Sequence, residues 1–80
     1  MTKQECISKK KELVDEIFEL RMKKLKVNRK IDAIEMGKES GSVDELMTEI
    51  FKLNREIDVR RNKVDSINKK LYNYKQYIHL

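Results

Sequence analysis

The feature that most constrains this chain is the spacing of its apolar residues. Starting at Val43 and stepping alternately by three and four, the positions are Val43, Leu46, Ile50, Leu53, Ile57, Arg60, Val64, Ile67, Leu71, Tyr74 and Ile78. Ten of these eleven are apolar or aromatic, a repeat held over five heptads. A β-strand alternates with period two, so such a series reads as one seam of a long helix and as a coiled-coil pattern. The first half carries a matching series: Cys6, Lys10, Leu13, Ile17, Leu20, Lys24, Val27, Ile31 and Ile34.

The two series are separated by a short break. Both glycines of the chain, Gly37 and Gly41, lie in it, and the chain has no proline. Thr2 and Glu5 have the spacing of a capping box, as do Ser42 and Glu45. Gly37 suits the left-handed position that closes a helix. The reading is one helix over about 3–36, a loop over 37–42 and a second helix over about 43–77. A loop this short makes the helices antiparallel neighbours. The fold class expected is therefore all-α, a coiled-coil helical hairpin occupying residues 1–80 as a single domain. The register expected pairs Ile34 with Leu46, Val27 with Leu53, Leu20 with Arg60, Leu13 with Ile67 and Cys6 with Tyr74. Ile31 with Ile50 and Ile17 with Val64 fall between those layers.

Two polar residues interrupt the seam. Lys24 and Arg60 are expected to pack their stems and lift their charges to water or to a nearby Glu. The register brings Glu56 near Lys24, and Glu16 and Glu19 near Arg60. The sharper reading is that these cations specify register or partner.

A hairpin only two helices wide leaves its seam partly wet. Further apolar side chains run beside it: Ile7, Val14, Phe18 and Leu25 in the first helix, Met47, Phe51 and Tyr72 in the second. This second stripe is the expected interface, either for a homodimer forming a four-helix bundle or for a protein partner. Phe18 and Phe51 are its expected anchors, because aromatic residues dominate interface energetics. The plainer alternative is that the stripe widens the seam.

Charge sets the rival reading. With 19 Lys and Arg against 14 Asp and Glu, the net charge of +5 permits an anionic partner. Lys23, Lys26 and Lys30 recur at helical spacing with Arg29 beside them, and Lys52 and Arg55 lie across the hairpin. A second basic cluster around Lys9, Lys10, Lys11, Lys69, Lys70 and Lys75 is interleaved with Tyr72, Tyr74 and Tyr77. Such surfaces can bind RNA or DNA. The acids dilute the field, and no helix-turn-helix or RNA-recognition signature is present.

Other chemistries find little support. Cys6 and His79 are the only thiol and imidazole, too few to close a metal site; Cys6 reads as a small core residue and His79 as part of a frayed end. The Gly37–Ser42 stretch lacks phosphate-loop spacing. A narrow hairpin offers no cavity to tune a carboxylate for acid–base work. No enzyme activity, cofactor or metal is expected. No run approaches the roughly 18 apolar residues of a membrane span, and a single Cys with no visible signal peptide reads as cytoplasmic.

One local resemblance stands apart. Leu53-Asn54-Arg55-Glu56-Ile57-Asp58 resembles the L-S-Q-E-L-D segment of a family of small two-helix phosphatases acting on aspartyl-phosphate. Asn62 falls where that family often has Asn, and Ile17-Phe18-Glu19-Leu20-Arg21 is similar to its upstream helix. Asn54, Arg55 and Val64 depart from the family pattern, and both helices here are longer. The resemblance implies a phosphorylated response regulator as partner, with Glu56 and Asp58 at the contact.

Overall fold

A computed structural model describes residues 2–78, with side-chain surroundings described through residue 73. Two helices make up the fold: α1, Lys3–Glu35, and α2, Val43–Ile78. No strand occurs among the described residues. Tyr74 and Ile78 continue α2, but their side chains, like that of Tyr77, lie outside the described set, as does His79 altogether.

Local chemistry sets the helix ends where the sequence places them. Thr2 caps α1, its Oγ1 accepting from the Glu5 backbone N–H at 3.1 Å. Ser42 does the same for α2, its Oγ accepting from the Glu45 N–H at 3.3 Å. At the C-terminus of α1, Gly37 takes φ +75°, a left-handed backbone that strains any residue with a Cβ. The Lys38 N–H then donates to the Ala33 carbonyl at 2.8 Å, and the Gly37 N–H to the Ile34 carbonyl at 3.0 Å. This is the Schellman pairing, which satisfies carbonyls left open at the helix end. Met36 is the cap rather than the last helical residue, so α1 stops one residue earlier than the apolar pattern does. Gly41 is also constrained, since a Cβ there would stand 3.0 Å from Ile34 Cδ1.

The helices pack against each other along their length in antiparallel fashion. Near the loop, Val27, Ile31, Ile50 and Leu53 share one buried cluster with Ile17, Leu20 and Ile57. Near the termini, Cys6, Leu13 and Ile67 form another, with Val64 and Leu71 against it. The whole measures 62 × 17 × 15 Å, one layer of two helices.

Burial follows the seam residue by residue. Every one of the nine α1 seam positions is buried or half-buried, as is every α2 position from Val43 through Leu71. Beyond the seam only Ala33 and Asn54 share that status among the described residues.

The register differs from the expected one by about three residues. Cys6 and Leu13 are seven residues apart, about 10 Å along one helix. Ile67 joins both in one buried cluster, so it lies at a level between them, near Lys10. Cys6 is then level with Leu71 and Leu13 with Val64, both of which pack on that cluster. The expected Leu13–Ile67 and Cys6–Tyr74 layers set each α2 residue about 4.5 Å too far toward the α1 C-terminus. In the expected phase a faces a and d faces d, and alternate layers miss by one residue; in the observed phase each a faces a d, and the two antiparallel seams coincide at every layer.

Candidate interaction surface

Placing the seam at heptad positions a and d assigns every other residue to a flank. With Lys10, Ile17 and Lys24 at a in α1, and Ile50, Ile57 and Val64 at a in α2, the e and b positions of both helices share one flank. The g and c positions share the other. Two contacts fix this assignment. Ile7 of α1 and Asn68 and Tyr72 of α2 line one groove between the helices, together with Lys3, Lys10 and Leu71. On the opposite flank, Arg60 Nε donates to Glu16 Oε2 at 3.0 Å.

The two flanks differ in kind. All seven residues of the predicted second stripe fall on the e/b flank: Ile7, Val14, Phe18 and Leu25 of α1, and Met47, Phe51 and Tyr72 of α2. Each is exposed, and the aromatics most of all, at 64% for Phe18, 69% for Phe51 and 60% for Tyr72. They lie beside a seam that is itself buried or half-buried. The g/c flank carries Glu12, Glu16 and Glu19, then Lys23, Lys26 and Lys30 on α1, with Glu45, Glu49, Lys52, Glu56 and Lys63 on α2. Its apolar content is small, chiefly Ala33 and the exposed Val59.

The basic residues singled out from sequence do not converge on one surface. Lys23, Lys26, Lys30 and Lys52 share the charged flank. Arg29 and Arg55 occupy f positions, on the backs of α1 and α2 that face away from each other. Arg55 and Lys52 border a shallow hollow with Phe51 and Thr48. Acids interleave with the lysines on that flank, Glu45, Glu49 and Glu56 standing on α2 near their level.

Arg60 behaves as a snorkelling seam residue. It is half-buried and binds Glu16, while its second arm donates to the Glu56 carbonyl one turn back at 3.0 Å. Lys24 is half-buried too, and makes no ion pair with Glu56 or any other acid among the described residues. Cys6 is fully buried, as a small core residue should be. Glu56 and Asp58, the carboxylates of the phosphatase-like segment, stand on opposite flanks, at g and b, and so do not converge on one ligand. No group of three or more metal-ligating side chains gathers among the described residues, and none of their helices is long and apolar enough to cross a membrane.

Reading apolar residues alone overlooks the charges set among them. Lys11, Arg21, Asp32, Glu35, Asp44, Asp58, Arg61 and Asp65 also occupy e and b positions, and the heptad assignment is the signal that finds them. No family model matches the sequence, nor does any curated protein or solved structure.

Proposed function

We propose that this chain is a non-catalytic protein-interaction module, a small adaptor, assembly factor or inhibitor built as a self-associating helical hairpin. One observation carries the reading: seven apolar side chains, three of them aromatic and at least 60% exposed, lie on one flank while the other flank is charged. An exposed stripe of that kind marks an interaction surface more than a stability device, because the hairpin's own seam is covered without it. Burial of Phe18 and Phe51 in a partner would supply the anchoring energy, and surrounding charges would set orientation.

The test is Phe18→Asp and Phe51→Asp, followed by sedimentation equilibrium and circular dichroism. Both variants are expected to lose self-association and partner binding while keeping wild-type helicity. Assembly retained in both would overturn the reading.

A basic bundle that binds RNA or DNA is the second reading. It is favoured by Lys23, Lys26, Lys30 and Lys52, exposed together on the charged flank. The acids on that same flank are the reason for ranking it second.

A further inference from the structure

We propose that a second copy of this chain covers the apolar flank, the two hairpins packed face to face with their loops at the same end and α1 of each lying on α2 of the other. The inference rests on the self-association reading above and adds the occupant, its direction and its register.

Size permits it. A flank of 62 by 15–17 Å presents about 930–1,050 Å² in projection, room enough for the ~800 Å² per partner of a standard stable interface. Charge then selects the orientation. Identical hairpins stack face to face about a two-fold axis that runs either across the helices or along them. An axis across them lays α1 on α1. Where that axis crosses between Lys11 and Arg21, the charged residues of this flank in the middle of α1, they meet the same two cations of the partner with no acid between. An axis along them lays α1 on the partner's α2, whose matching stretch holds Asp58 and Asp65 around Arg61.

The second arrangement leaves no freedom of register, because the axis preserves every residue's level. The level shared by Lys10 and Ile67 therefore fixes all the others. Lys11 falls opposite the partner's Asp65 and Arg21 opposite the partner's Asp58. Ile7 meets the partner's Tyr72, and Leu25 the partner's Phe51. Each match is within two residues of level, about 3 Å. The partner's Arg61 comes between Val14 and Phe18, where its guanidinium can lie on the Phe18 ring. Through the middle of the hairpin acids thus face bases, and Ile7 with Tyr72 and Leu25 with Phe51 set apolar on apolar; near the loop Asp32 falls opposite the partner's Asp44, so two like-charge pairs per dimer stand against four complementary ones.

Arg21→Asp and Asp58→Arg separate this arrangement from others. Alone, each variant sets like charges against each other twice per dimer and should weaken dimerisation at least about tenfold. Mixed in equal amounts, the two variants should form a heterodimer as tight as wild type, since both cross pairs are then complementary. Wild-type dimerisation by each variant alone, or no recovery on mixing, would overturn the proposal. A second measurement reads direction without perturbing the interface. Spin labels at Glu39→Cys in a Cys6→Ala background should lie within about 30 Å in the dimer, the width of two stacked hairpins. A separation near the 62 Å length of the hairpin would overturn the parallel arrangement and leave self-association standing. A monomer at high micromolar concentration would overturn both.

Discussion

Arg60 occupies a position where Leu or Ile would complete the seam. Its side chain is 29% exposed, and its Glu16 partner is 51% exposed, so water screens the pair. Ion pairs this wet contribute about 0–1 kcal/mol. Burying a leucine there would remove more apolar surface from water, at roughly 25 cal/mol per Å². Arg60→Leu is therefore expected to raise the urea midpoint at fixed protein concentration, by up to about 1 kcal/mol of stability. A loss of stability would show instead that the Glu16 pair and the Glu56 carbonyl contact hold the hairpin together. Lys24 is a useful contrast: it interrupts the α1 seam equally, yet without any acid to receive its charge among the described residues.

Along each helix, energy resides in the seam and recognition on the flank, and neighbouring residues separate the two. Leu53 is 7% exposed and belongs to the central cluster, whereas Phe51, two residues away, is 69% exposed. Leu53→Ala should cost about 2–5 kcal/mol, with the low end favoured where a thin hairpin can collapse into the gap. Phe51→Ala should leave the unfolding of the dissociated hairpin within about 0.5 kcal/mol of wild type. Chemical unfolding at low protein concentration checks both, and equal losses would mean that Phe51 is part of the intrachain core. The same contrast explains what could be read in the sequence. Period, caps and turn chemistry are local, so Thr2, Ser42, Gly37 and the seam positions were legible, and the stripe of Phe18 and Phe51 with them. Register is not local. It depends on which heptad positions face each other across the hairpin, and the packing of Ile67 against both Cys6 and Leu13 sets a against d. The charged members of the flank, Arg21 and Asp58 among them, follow from the heptad positions, and which of them stand level with one another followed only from that phase.

The molecule as a whole has two unequal long faces, and the question is which of them binds. If a second copy covers the apolar one, the charged flank remains outside, with Lys23, Lys26, Lys30 and Lys52 still exposed. Four lysines on one flank of a hairpin with net charge +5 invite nucleic acid. Counterion release would then make affinity fall steeply with salt, with a slope of about −0.9 for each phosphate neutralised on duplex DNA. Against this, Glu45, Glu49 and Glu56 share that flank and repel the same phosphates. Arg29 and Arg55 point away on opposite backs and cannot join one continuous track. The expected outcome is weak binding of mixed-sequence duplex and RNA hairpin at low salt, lost at physiological salt and with a shallow slope. Fluorescence anisotropy across a salt series measures it. Lys23→Glu, Lys26→Glu and Lys30→Glu together should leave dimerisation unchanged, because none of the three touches the apolar flank. Tight binding at physiological salt, abolished by that triple reversal, would transfer the function to the charged flank. The apolar flank would then serve to assemble the bundle that presents it.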